Sequence, residues 1–285
     1  MHTSQLYLSI LALAFICCIS GSCTKKIENV QTPCYFPDSL NQYSLIWSDE
    51  FDFIDTSKWE FMIGNGCEYD ICGWGNNELQ YYTDSSRNAR TIGGKLQIRA
   101  YRENNTINGF QYSSARLRSK NKADFTFGRI DVRAKLPKGQ GIWPAVWMLP
   151  TDNLYGGWPA SGEIDIVELV GHEPNTVHAT IHYGSDFHRS LGESFSLSNG
   201  EDFSDQHHIF TLLWAKDCMK FLIDGEEYSG PYTPTKLLPT GYPFNERFHL
   251  LMNLAVGGNW PGNPNSTTSF PQTLEIDYIR VYTPQ

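Results

Sequence analysis

Positive charge is what this chain lacks most. Only 22 Lys and Arg stand against 31 Asp and Glu, giving a net charge of −9. That balance argues against nucleic acid and an anionic membrane surface as partners. It also disfavours a strongly anionic polysaccharide, unless Arg and Lys gather locally. Helical periodicity is nearly absent, and so are internal repeats and low-complexity segments. Beyond residue 19 no apolar run is long enough to span a bilayer. No His pair flanks the cysteines at ligand spacing, which argues against a zinc site.

The N-terminus is different in kind. Residues 6–19 form an apolar run too short for a stable anchor, ending in small residues, as an export signal does. Ser20-Gly21-Ser22-Cys23 resembles a bacterial lipobox, although the start of the chain has His2 and no Lys or Arg before the run. The expectation is a signal peptide over 1–22 with Cys23 lipidated, giving an outer-membrane lipoprotein on the cell-surface or periplasmic side. An ordinary secretory signal cut near Cys23 would give a secreted protein instead. Residues 23–43, polar and carrying Pro33 and Pro37, read as a tether, and 44–285 as the folded body. Cys34, Cys67, Cys72 and Cys218 fall in a compartment that permits disulfides. A local Cys67–Cys72 bridge fits the Gly-rich loop, and the three possible connectivities stay open.

From residue 45 on, strand follows strand. Alternation is clean over 95–100 and 129–136, with further candidates at 177–183, 208–214, 220–223, 250–256 and 274–282. Asp224-Gly225 is a two-residue hairpin turn. So many antiparallel strands in one body predict an all-β fold, a β-sandwich jelly roll of concanavalin-like shape. Its concave face would be a substrate cleft.

One run stands out: Gly162-Glu163-Ile164-Asp165-Ile166-Val167-Glu168. Strand alternation puts Glu163 and Asp165 on one face and Ile164 and Ile166 on the other. A regular strand would turn Glu168 toward the isoleucines. One extra residue, a β-bulge at Ile166-Val167, returns it to the face of Glu163. The glutamate Cα atoms would then lie roughly 13 Å apart, and their carboxyls roughly 5–6 Å apart. That is near the ~5–5.5 Å of a retaining glycosidase, with a nucleophile on one side of the sugar and an acid/base on the other. An acidic strand edge that blocks unwanted pairing is the plainer alternative.

Together with Gly141-Ile142-Trp143-Pro144-Ala145-Val146-Trp147-Met148-Leu149-Pro150, this run resembles glycoside hydrolase family 16, and in particular its bacterial laminarinases, the endo-β-1,3-glucanases. Gly75-Asn76-Asn77-Glu78-Leu79-Gln80-Tyr81-Tyr82-Thr83, Asn253-Leu254-Ala255-Val256-Gly257-Gly258-Asn259-Trp260-Pro261-Gly262 and Asp277-Tyr278-Ile279-Arg280-Val281-Tyr282 extend the resemblance over 45–282. It implies Glu163 as nucleophile, Glu168 as acid/base and Asp165 as their assistant, with no metal or other cofactor in the chemistry. The implied partner is a laminarin-type β-glucan, met by a monomer whose sole membrane link is its lipid anchor. A structural calcium held by Glu50, the Gly94 carbonyl and Asp277 is also implied. Mixed-linkage β-1,3-1,4-glucanase is the near alternative, although the best-known such enzymes have one residue fewer between the two acids. Agarase or carrageenase activity is more remote, as is a non-catalytic glycan-binding lipoprotein.

Trp143, Trp147 and Trp260 are expected to offer flat apolar surface to sugar C–H faces, against packing in the core. Trp158 stands open between cleft rim and loop anchor. Asn77, Glu78 and Gln80 are expected to bond sugar hydroxyls, against capping of their own loop. Arg116 is a hydroxyl-binding candidate, against an ordinary ion pair. Asn253 belongs to the late cleft segment. His178, Thr180 and His182 share a strand face, with His182 expected near the leaving-group side. His207-His208 reads as a solvated strand start.

Overall fold

A computed structural model describes residues 34–285; the expected export signal, Cys23 and the first part of the tether lie outside the described residues. The strands, in chain order, are β1 (Tyr43–Asp49), β2 (Glu60–Phe61), β3 (Gln80–Tyr82), β4 (Ala89–Thr91), β5 (Leu96–Ile107) and β6 (Phe110–Ser114). Next come β7 (Arg116–Arg118), β8 (Asp124–Phe125), β9 (Gly128–Lys135), β10 (Ile142–Pro150), β11 (Glu163–Glu168) and β12 (Thr176–Tyr183). The last are β13 (Arg189–Ser196), β14 (His208–Ala215), β15 (Cys218–Ile223), β16 (Glu226–Tyr232), β17 (Phe248–Val256) and β18 (Gln272–Pro284). Helix is confined to short 3-10 turns among the described residues.

Two sheets pack face to face as a jelly roll. The outer sheet runs β16-β15-β14-β9-β18-β5-β6-β3, with β1 also on β18 and β4 also on β5. The inner sheet runs β13-β12-β11-β10-β17-β7-β2, with β8 also on β17. Alternation sends one row of each strand between the sheets. Ile130, Val132 and Ala134 of β9 and Leu96, Ile98 and Ala100 of β5 meet Val146 and Met148 of β10 and Leu250, Met252 and Leu254 of β17 in one buried core. The opposite row of the inner sheet is free to floor a cleft. At the sheet's centre β17 is buried along its whole length, because its second face lies under cleft side chains.

The expected hairpin is present: Ile223 pairs with Glu226, and Asp224 and Gly225 both have positive φ, as a type I′ turn requires. Two expectations shift. His208 is no solvated strand start; it is 4% exposed, with Nδ1 at 2.7 Å from Asp224 Oδ2. The tether does not run free up to residue 43, because Cys34 is disulfide-bonded to Cys218 on β15 and Leu40–Gln42 already form a 3-10 turn. The second bridge is Cys67–Cys72. Spacing alone could not find the first bridge, since its partners are 184 residues apart.

Met252 packs from β17 against Val146 with no exposed surface. Met252→Ala should therefore cost about 2–5 kcal/mol in a urea unfolding experiment.

Candidate active site

The acidic run is β11, and its register shows how its side chains sort. Against β12, Glu163 faces His182, Asp165 faces Thr180 and Glu168 faces His178. Between Asp165 and Glu168, β11 takes one more step than its partner. Against β10, Val167 faces Val146 while Asp165 faces Trp147, so the unmatched residue is Ile166. This is the bulge, at the expected Ile166-Val167 position. It leaves Ile164, Ile166 and Val167 buried in the core and all three carboxylates among the cleft lining.

The cleft floor is a lattice of strand partners. From Glu168 it passes through Ala145 and Asn253 to Arg116; from Asp165 it passes through Trp147 and Leu251 to Arg118. Trp143, Trp147, Trp158 and Trp260 stand along the cleft, which has a volume of about 560 Å³. Trp143 donates from Nε1 to Glu168 Oε2 at 3.2 Å and meets Trp260 edge-on at 5.6 Å. Trp158 donates from Nε1 to Glu163 Oε2 at 2.5 Å. His182 places Nε2 at 3.2 Å from Asp165 Oδ2, an ion-pair distance without hydrogen-bond alignment. Each glutamate thus has an indole donor of its own, and the aspartate has the imidazole.

Three acids on one patch cannot all ionise cheaply. Burial, and then the charge of Asp165, push Glu163 up to about 8, while His182, the Trp158 N–H and Arg116 pull it down. Burial, then Asp165, also raise Glu168 well above its ordinary range, with His182 and the Trp143 N–H opposing and Glu163 adding repulsion; Thr180 Oγ1 also donates to Glu168 Oε1 at 3.5 Å. Burial raises Asp165 as well, with the neighbouring Glu163 carboxyl opposing. What sets Glu163 apart is the added pull of the Arg116 guanidinium on its charged form. Both glutamates keep some surface open to the cleft, so water damps these shifts until a sugar fills it.

The expected binding residues divide. Trp143, Trp147, Trp260, Glu78, Arg116, His182 and Asn253 line the cleft. Asn77 and Gln80 do not belong to that lining. Asn77 donates to Asn259 Oδ1 at 2.8 Å and ties two loops together. Gln80 is fully buried: its amide donates to Glu78 Oε2 at 2.7 Å and its carbonyl accepts from the Val256 N–H at 2.7 Å. Both support the wall instead of reaching into the cleft. Arg116 is not in an ordinary ion pair. Its guanidinium lies between the Trp74 and Trp147 rings, 4.4 and 4.8 Å from their centroids. Trp74, His188 and His249 also line the cleft and carried no sequence signal of their own. Trp158, open between two readings, is the direct partner of Glu163.

Glu163, Asp165 and His182 bring one ligand atom each within 4.8 Å of one another, so on distance alone they could hold a cation. The expected calcium set fits less well. Strand pairing does bring Glu50, Gly94 and Asp277 to one end of the outer sheet. Yet both Glu50 oxygens accept from Arg280, at 2.9 and 2.8 Å, and Asp277 pairs with Arg133 and Lys95. The oxygens a hard cation needs are taken by cationic side chains, and the set does not fit calcium in this arrangement.

Paired carboxylates in an aromatic cleft on a jelly roll define a glycoside hydrolase. The chain belongs to the glycosyl hydrolases family 16, whose model matches residues 72–280. It is 40% identical over 266 residues to a glucan endo-1,3-beta-glucosidase A1 of Niallia circulans, aligning 85% of this chain but only 38% of that protein. A beta-glucanase of Rhodothermus marinus is 40% identical over 260 residues, covering 86% and 87% of the two chains. Among solved structures, the laminarinase catalytic domain of Thermotoga maritima superposes with a TM-score of 0.81 at 44% identity, covering 86% of this chain and 99% of that one.

Trp147 donates from Nε1 to Asn253 Oδ1 at 2.8 Å, so this Asn fixes one indole of the floor. Asn253→Ala should cost about 1–3 kcal/mol in urea unfolding by orphaning that donor.

Proposed function

We propose that this protein cleaves β-1,3-glucosidic bonds within laminarin-type β-glucans, with retention of anomeric configuration. The observation that carries the reading is the bulge in β11, which sets Glu163 and Glu168 on one cleft face with Asp165 between them. Similarity to proteins named for endo-1,3-beta-glucosidase and laminarinase activity supports the choice of linkage.

Glu163 attacks the anomeric carbon as a carboxylate while Glu168 protonates the leaving glycosidic oxygen, giving a glycosyl ester on Glu163. Glu168, now ionised, takes a proton from water. The water attacks the same carbon, and the Glu163 ester breaks. The different environments of the two acids match these roles, since Glu163 is answered by Trp158, His182 and Arg116, and Glu168 holds its proton amid Asp165 and Glu163. Asp165 lies beside Glu163 on the same face of β11 and can exchange a proton with it as charge leaves and returns. Trp143, Trp147 and Trp260 give sugar rings their apolar faces. We also propose export, with Cys23 as a lipid-bearing N-terminus, and leave calcium out because its expected ligands are engaged with arginine and lysine.

The test is a side-by-side digestion of laminarin, barley β-glucan, lichenan, agarose and carrageenan. Laminarin should be cut fastest, and a β-anomer should be the first product by NMR; an initial α-anomer would contradict the mechanism. Glu168→Gln should lower kcat by about 10²–10⁴-fold on laminarin.

The pH profile follows from the same contacts. Glu163 works charged and its pKa is raised, so activity is lost as pH falls through a value above the ordinary carboxylate 4.5. Glu168 works protonated, so its raised pKa sets the alkaline limb. Trp158→Phe removes an N–H that favours charged Glu163. Its kcat/KM profile should shift the acid limb to higher pH.

A further inference from the structure

His188 has no place in the mechanism above, yet it touches two of the groups that serve the acids. Its Nε2 lies 2.7 Å from Nδ1 of His182, and the two rings are within 17° of parallel with centroids 5.0 Å apart, an edge-to-edge contact through the two nitrogens. On its other side it meets the Trp158 indole at 4.8 Å. His182 in turn points Nε2 at Asp165, and Trp158 points its N–H at Glu163.

With both rings neutral, the 2.7 Å contact holds one proton, and where that proton belongs decides what Asp165 faces. If His182 donated from Nδ1 as a neutral ring, its Nε2 would carry a bare lone pair toward a carboxylate oxygen. That oxygen, Asp165 Oδ2, is buried and has no aligned hydrogen bond. A lone pair set against it would leave it wholly unanswered, at a cost typical of an orphaned buried acceptor. The reverse arrangement makes the His182–His188 hydrogen bond and turns an N–H, not a lone pair, to the side of Asp165. His188 donates from Nε2 to His182 Nδ1, and the His182 proton sits on Nε2 facing Asp165.

We propose that His188 is a positioning residue that fixes the Nε2–H tautomer of His182 and so keeps a donor turned toward Asp165. Burial holds His188 below the usual imidazole pKa, consistent with a neutral donor. The turn between β12 and β13 is built to present it. Gly184 has φ +117, and a Cβ there would lie 2.2 Å from the Phe187 carbonyl oxygen, so a side chain is excluded. Arg189 grips Asp186 with two nitrogens, at 2.5 and 3.1 Å, donates to the Phe187 carbonyl at 3.3 Å, and lies over the Phe187 ring. His188 is the residue held between those anchors.

The catalytic half of this inference rests on the hydrolase reading; the tautomer half does not. Two variants separate donation from the mere presence of a ring. His188→Phe keeps a ring against His182 and Trp158 but cannot donate, and His188→Gln can donate but has no ring. On laminarin, H188F should lose about tenfold in kcat, which converts to ~1.4 kcal/mol, with KM nearly unchanged. H188Q should recover most of that loss. Long-range ¹⁵N–¹H correlation spectra of the full exported chain should show His182 protonated at Nε2 in the wild type and redistributed in H188F. Equal kcat for H188F and H188Q, or a wild-type His182 protonated at Nδ1 alone, would overturn the proposal. If the wild type fails to cut laminarin, the hydrolase reading falls, while the spectra still decide the tautomer.

Discussion

Three carboxylates held on one patch of a strand are a standing electrostatic cost, and much of the cleft can be understood as the answer to it. Burial penalises each charge and the neighbours repel, so a fully ionised trio is ruled out at neutral pH. Only donors fixed in place can select which acid carries charge. Trp158 and Trp143 each turn an indole N–H to one glutamate, and His182 faces the aspartate between them. These donors come from different parts of the chain: a loop before β11, the neighbouring β10, and β12 on the other side. The electrostatic pattern is therefore a product of the sheet's register and cannot be assembled by β11 alone.

Ile166 is where that register is adjusted. An unbulged run of this length would send one acid inward against Val146 and Met148, and a buried unpaired carboxylate is far costlier than a local kink. The bulge keeps Val167 opposite Val146, so the core loses no contact while the cleft face gains Glu168. Core packing and acid placement thus constrain the same six residues. The flanking strands are rigid for ordinary reasons, β10 paired over nine positions with β17, and β12 over eight with β13.

Much of this was legible because it depends on period and residue type. Alternation located β5, β9, β12, β14 and β18, and an acid out of phase with its strand demanded a bulge. What escaped depends on contacts between distant segments. Nothing near Cys34 says that Cys218 will lie beside it. Gln80 alternates like a cleft residue, yet it turns beneath Glu78 to satisfy the Val256 N–H, because a buried backbone donor outranks a solvent-facing sugar site. His188 follows a glycine turn whose shape depends on Arg189 reaching back to Asp186, and no local pattern encodes that grip. His208 looked exposed by its polarity, whereas the partner that allows its burial, Asp224, sits across a hairpin.

The scarcity of positive charge gives Arg116 particular weight. In a chain of net charge −9, this one guanidinium is 5% exposed and lies between two indoles, with its charge acting on both Glu78 and Glu163. A carboxylate clamped directly onto it would have cancelled that influence. Aromatic faces attract the cation without neutralising it, so Arg116 is held in place and its field still reaches the acids. Trp147 then serves two ends at once, supporting Arg116 with its ring while its N–H is held by Asn253. One rigid side chain of the cleft floor is thereby tied both to Asn253 and to the cation whose field lowers the pKa of Glu163.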